Sequence, residues 1–373
     1  MKFEDVPDRN DLKQTFISNL KQNRLSHALL FSGIEGSGQF AFALALIQYL
    51  FCENKQEKDS CGTCHSCLKI SKMQHPDVHF FFPYAKTKEQ PRDFFIPIFR
   101  NTALENPFFS PSDWVESADI NNKILKIYRE DASEIIKILN FKAYEGHYRV
   151  VVIWLAEYLQ SEGANALLKS LEEPGEKVLF ILITHQADEL LPTILSRCQP
   201  TKFTPYEAGS IENFIKEKYS LANEQAKEIA RMADGNLSKA IQLADKGLNN
   251  SYLDFFKRWM RSAWAFNVPE LITLQEEFSK TGKEKQIYLF DYCLFLLRES
   301  LLMHFVNQHP LTTANNEEYE FLTKFHLQIN EYNIQDLIQL ISESSMHIER
   351  NANARILFMD ISAKIAKMLR QKT

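Results

Sequence analysis

Four cysteines stand at Cys52, Cys61, Cys64 and Cys67. Two overlapping C-x2-C steps place thiolates on one tight turn, and Cys52 joins them from the end of an apolar segment. Four thiolates complete a tetrahedral Zn2+ shell. A closed shell leaves no position for water, so the expected role is structural. An iron–sulfur cluster, a redox dithiol and ordinary free thiols are the alternatives. His65 and His75 lie nearby but are surplus to a four-sulfur site. His75, in "HPDV", is expected to make a structural hydrogen bond.

A second chemistry is suggested by "FSGIEGSGQF", residues 31–40. Gly33, Gly36 and Gly38 fit a phosphate-binding loop, whose backbone N–H groups cradle phosphates. Such a loop also needs a lysine for the β/γ-phosphates and a hydroxyl for Mg2+. Gln39 and Phe40 occupy those two places, so the charge and the metal ligand are both missing. The partner half of the site is a carboxylate pair at the end of the next core strand, and "VVVIWLAEYL" has Trp154 and Leu155 there. Glu157 follows three residues later, on the expected turn. Two losses in one framework point to a nucleotide-binding fold that has given up hydrolysis. A plain strand–helix turn that never held phosphate is the other reading of the glycines.

The elements that position these residues can be read from periodicity. "HALLFSG" (27–33), "HYRVVVIWLA" (147–156) and "EKVLFILITH" (176–185) are apolar on both faces, as central strands of a helix-covered parallel sheet are. Between the last two, Ala164, Leu167, Leu168 and Leu171 follow helical spacing, with Ser161 as a candidate cap and Pro174–Gly175 as the stop. This strand–helix alternation reads as α/β. Beyond about residue 207 strand signals vanish. Three short helices follow, Gly235 capping one of them. Longer amphipathic segments such as "KEKQIYLFDYCLFLLRESLLMHF" and "NARILFMDISAKIAKMLR" then imply helix-on-helix packing. "NQHPLTTANNEE" (307–318) reads as a loop. Residues 83–118 are aromatic and proline-bearing without clear periodicity, and read as an insertion.

Bulk properties set limits. The chain has 373 residues, 45% hydrophobic and 24% charged, with a net charge of −5. It can bury a sizeable core, and it is not a uniformly basic nucleic-acid binder. The start of the sequence has no apolar signal region, and no run approaches a membrane span. A cytoplasmic protein with no membrane association is expected.

The stretch "GANALLKSLEEPGEKVLFILITHQADELLPTILSRCQPTKF" (163–203) closely resembles the clamp-loader subunits of bacterial DNA polymerase III, members of the AAA+ family. "RLSHALLFSG", "HPDV" and the four-cysteine insert resemble the same family. The resemblance spans nearly all of the first 246 residues, apart from 83–118. It implies an α/β AAA+ domain with a P-loop-like parallel sheet over 1–206, carrying the zinc module (52–67) and the aromatic insertion (about 83–118). A helical lid (207–248) and a helical collar (249–373) would follow. Motor subunits of the gamma/tau type keep the lysine and the acidic pair. Gln39, Phe40, Trp154 and Leu155 instead resemble the delta-prime type, which binds no ATP. Ser238, with Lys239 beside it, stands where the lid often carries an arginine. Thr184 falls at the sensor position and would be vestigial.

The resemblance also implies that Arg197, in Ser196-Arg197-Cys198, acts as an arginine finger on the ATP site of an adjacent motor subunit. From sequence alone the plainer reading is an ion pair at the helix end. Implied partners are the gamma/tau and delta subunits, and indirectly the sliding clamp and primer–template DNA in the replisome. Two rival readings are an active ATPase with an unorthodox P-loop and a zinc-bearing interaction module.

Overall fold

The computed structural model describes residues 1–87, 90–120, 123–246, 251–305, 316–330 and 333–370. Two compact units divide the chain, Met1–Lys246 and Gly247–Thr373.

The first unit is built on five strands: β1 (Ala28–Ser32), β2 (Val78–Phe81), β3 (Arg149–Trp154), β4 (Val178–Thr184) and β5 (Gln199–Lys202). They pair in parallel in the order β2-β3-β4-β1-β5. The three segments that are apolar on both faces are the three central strands, as their composition requires. The two edge strands escaped the sequence reading. β2 is four residues long and β5, "QPTK", is mostly exposed, so neither carries a buried strand's pattern.

Helices cover both faces. Beneath one lie α1 (Asn10–Lys21) and α2 (Gln39–Phe51), with Phe16, Phe31, Phe42 and Phe203 in mutual ring contact. Every residue of α2 is buried, the condition for a helix apolar all round. Its outer side is covered in part by α3 (His65–Ser71) of the cysteine module. Two further helices, α4 (Arg92–Glu105) and α5 (Pro111–Ser117), come from the insertion. On the other face, α6 (Arg129–Leu139), α7 (Ser161–Glu172) and α8 (Pro192–Leu195) bury Ala132, Ile135, Ala164, Leu167, Leu171 and Ile194 against Leu30, Val151, Ile153, Phe180 and Leu182. The cap of α7 is Gln160, and Ser161 is already its first helical residue, a correction to the expected cap. The α/β arrangement with a helix-covered parallel sheet expected from the sequence is therefore the one observed.

Three helices close this unit, α9 (Ala208–Tyr219), α10 (Asn223–Ala233) and α11 (Leu237–Lys246). Gly235 follows α10 at φ +83°, just past the left-handed Asp234 at the C-cap.

The second unit is all-helical: α12 (Ser251–Ala265), α13 (Val268–Lys280), α14 (Lys283–Phe305), α15 (Asn316–Phe325), α16 (Ile334–Glu349) and α17 (Ala354–Arg370). Trp259 anchors its core. The ring stacks on Phe358 at 4.8 Å and its Nε1 donates to Ser362 Oγ at 2.8 Å. Most of the loop read over 307–318 lies outside the described residues, and its last three residues belong to α15. Among the described residues no helix is long and apolar enough to cross a membrane.

Candidate functional site

In a parallel α/β sheet, ligands bind in the crevice at the carboxyl ends of the strands. Here that crevice holds the chain's own side chains. Gln39, at the start of α2, is buried, and its Nε2 donates to the carbonyls of Gly33 at 2.7 Å and Ile34 at 3.1 Å. The amide that replaced the lysine thus ties the loop to itself. Phe40 turns to the other side. Its ring meets Phe109 at 5.4 Å, Phe99 at 5.8 Å and Trp154 at 6.4 Å. Trp154 in turn meets Phe109 at 4.6 Å and Phe99 at 5.5 Å. The residues at the hydroxyl position and at the first carboxylate position are therefore joined through two phenylalanines of the insertion.

The main aromatics of residues 83–118 are thus core packing. Phe95, Phe99, Phe109 and Trp114 are buried, and Trp114 Nε1 donates to Pro83 O at 2.8 Å. Phe95, Phe99 and Ala103 do follow helical spacing along α4. Pro97 within the helix and the exposed Phe94 obscured it.

The remaining side of the loop is covered as well. Gly36 and Gly38 have φ of +73° and +83°, which other residues adopt only with strain. A Cβ on Gly36 would lie 1.9 Å from Asn236 Oδ1, and one on Gly38 would lie 2.2 Å from the Tyr206 hydroxyl. Leu237 N–H, at the start of α11, donates to Gly36 O at 3.1 Å. Arg9 lies over the Tyr206 ring at 4.2 Å and donates from Nη2 to Ser37 O at 3.1 Å. Leu155 is buried at φ +56° and presents no charge. Glu157 accepts from His185 N–H at 3.1 Å, and burial pushes its carboxyl above the usual range. Thr184 is buried, its Oγ1 accepting from Gln186 N–H at 3.1 Å. Ser238 is buried as well, its hydroxyl without a hydrogen-bond partner among the described residues.

Arg197 follows α8 and is half-buried. Its Nε donates to Glu172 Oε1 at 2.7 Å, and Nη2 pairs with the same oxygen. Nη1 donates to Thr193 O at 2.8 Å. The ion pair expected as the plainer reading exists within this chain. Such solvent-touching pairs contribute about 0–1 kcal/mol.

The cysteine module fits a single metal ion. The four Sγ atoms lie within 4.8 Å of one another, and Cys61 and Cys67 are 3.9 Å apart. Tetrahedral Zn–S bonds of about 2.3 Å require S···S edges of about 3.8 Å. None of the four is in a disulfide. Cys52 caps the end of α2, Gly62 makes the turn at φ +72°, and Cys64 starts α3. Backbone N–H groups of Cys61, Thr63 and Cys64 point at sulfur, as they do around thiolate ligands. Those of Thr63 and Cys64 pull the Cys61 thiol down to about 6, whereas burial pushes Cys52 and Cys67 up. His65 is no part of the cluster, and His75 Nδ1 accepts from Asp77 N–H at 3.2 Å.

The family described as "DNA polymerase III, delta subunit" matches residues 9–207, more than half of the chain. The chain belongs to that clamp-loader family. Its relatives include the DNA polymerase III subunit delta' of Bacillus subtilis (strain 168), 25% identical over 91% of this chain and 90% of that one. The subunit delta' of Yersinia pestis is 34% identical over 46% of this chain and 40% of its own length. The subunit tau/gamma of Haemophilus influenzae is 24% identical over 95% of this chain and 48% of its own. Similarity to two delta' subunits, one of them along nearly its full length, supports the delta-prime type.

Proposed function

We propose that this chain is the non-hydrolysing subunit of a DNA polymerase III clamp loader, binding no ATP itself and serving the ATP site of a neighbour. The observation that carries the reading is the filled crevice, with Gln39 hydrogen-bonded into the loop and Phe40 and Trp154, at the hydroxyl and carboxylate positions, packed together with Phe99 and Phe109. Hydrolysis would need a cation, a hydroxyl and a carboxylate at that point, and none of those three positions supplies one.

Arg197 is the chain's contribution to catalysis. A guanidinium offers several donors in a fixed plane and stays charged. Presented in trans to a transferring phosphoryl group, it stabilises charge on the equatorial oxygens. Its place at the exposed end of α8 and its weak hold on Glu172 both suit that task. The cysteine module holds one structural Zn2+, which fixes the chain between α2 and α3. The division into an α/β domain (1–206), a lid (207–248) and a collar (249–373) belongs to the same reading. So do assembly with gamma/tau and delta subunits and loading of the sliding clamp onto primed DNA.

Two measurements test it. Titrating Mg-ATP into the pure chain should give no saturable binding, and micromolar affinity would favour an active ATPase instead. In a complex reconstituted with gamma/tau and delta subunits, Arg197→Ala should leave assembly intact and depress DNA-stimulated ATPase by about tenfold or more. Unchanged hydrolysis would refute the finger.

A further inference from the structure

A cavity of about 170 Å3 lies between the edge strand β2 and the insertion helix α4. Its lining includes Phe81, Phe99 and Ile138, and its polar side chains are His79, Arg92 and Arg100. No aspartate or glutamate lines it. Two guanidinium groups and an imidazole share this space; Glu134, outside the lining, pairs with Arg92, whereas Arg100 has no charge partner among the described residues, and that unmet guanidinium calls for an anion.

The individual groups sharpen the case. Arg92 is largely buried over the Phe81 ring, 4.5 Å from its centroid. Its Nη2 donates to Glu134 Oε1 at 2.5 Å. Its Nε and Nη1 are buried without a hydrogen-bond acceptor among the described residues, Nη1 standing 3.7 Å from Asp131 Oδ1. Asp131 itself accepts from Tyr128 N–H at 2.7 Å and from the Tyr84 hydroxyl at 3.4 Å. Arg100 is half-buried and has no ion pair or hydrogen bond to any described residue. His79 is held below its usual range by burial and then by the charges of Arg149 and Arg92, so it stays neutral and can donate one N–H.

We propose that this cavity binds a small oxyanion, held by Arg92 and Arg100 with an N–H from His79. The space is below the usual volume of a pocket for a drug-sized ligand, which points to a phosphate or a small carboxylic acid. Planar guanidinium forks match either group through paired N–H donors. Occupancy has a structural consequence. Phe99 lines this cavity and also packs on Trp154 and Phe40 in the crevice, so an anion here braces α4 and with it the aromatic plug. The site does not depend on the Arg197 reading or on the chain's affinity for ATP.

The test is thermal unfolding of the full chain in sodium phosphate and, separately, in sodium acetate, each matched in ionic strength with sodium chloride. A saturable rise in midpoint is expected, about 2–4 °C at ten times Kd. Arg100→Ala should weaken that response about tenfold while changing the anion-free midpoint little, since Arg100 makes no ion pair or hydrogen bond to another described residue. Arg92→Lys, which keeps the charge but loses the fork, should weaken it too. A response to phosphate alone identifies a phosphate site, and a response to acetate alone a carboxylate site. No rise beyond the chloride control, or a rise that Arg100→Ala leaves unchanged, overturns the proposal.

Discussion

Phe109→Ala probes the aromatic plug directly. Phe109 is buried, and its ring touches Phe40, Phe99 and Trp154 at centroid distances of 5.4, 5.6 and 4.6 Å. Truncating a buried phenylalanine costs about 3–5 kcal/mol, the lost transfer energy plus the cavity left behind. The backbone bond from Phe109 N–H to Asn106 O does not involve the ring and is kept. The neighbouring rings can close in on part of the gap, so the lower end, about 3 kcal/mol, is expected. At about 3 kcal/mol per M urea, this moves the first unit's midpoint by about 1 M. Trp114 and Trp154 both sit in this cluster, so their fluorescence reports its loss. Phe94→Ala is the control. It is the same residue type in the same insertion, but 47% exposed, and should cost under about 1 kcal/mol. Equal effects of the two substitutions would mean the insertion is a surface feature and would sink the account of a filled crevice.

Three further outcomes follow from the geometry. Purified protein should carry about one zinc per chain, and Cys64→Ser or strong chelation should remove it and loosen the segment around residues 52–71, read as faster amide exchange there. Glu172→Ala should change stability by less than about 1 kcal/mol and leave the reconstituted complex's ATPase at or above its normal level, because the pair only parks Arg197. A fall matching that of Arg197→Ala would show instead that Glu172 positions the finger. Burial holds His185 down to about 4. Its stabilising effect is full above the unfolded value of about 6.5 and is lost as pH falls towards 4, where the unfolded chain binds the extra proton. His185→Asn should flatten stability against pH in that window, and an unchanged slope would assign the dependence to other groups.

Much of the site was legible in the sequence, because its signals are local. The cysteine spacing fixes a four-sulfur turn wherever it occurs. Long apolar runs could only be the central strands, and the apolar stripe of Ala164, Leu167 and Leu171 could only be a covered helix. The replacements at residues 39, 40, 154 and 155 state by residue type alone that lysine, hydroxyl and carboxylates are gone. What fills the vacated space was not legible. Phe99 and Phe109 reach Trp154 across about fifty residues of chain, and Arg197 finds Glu172 across 25. Such partners are chosen by packing at a distance, which no local period records. The same limit hid β2 and β5, whose edge positions need few apolar residues. It also hid the cavity at β2, because Arg92, Arg100 and His79 share no spacing rule and meet only when α4 folds against the sheet. The sequence by itself determined that residues 39, 40, 154 and 155 are glutamine, phenylalanine, tryptophan and leucine, none of which offers an ammonium, a hydroxyl or a carboxylate. Only the tertiary structure decided that its crevice is closed, because closure depends on where an irregular insertion comes to rest.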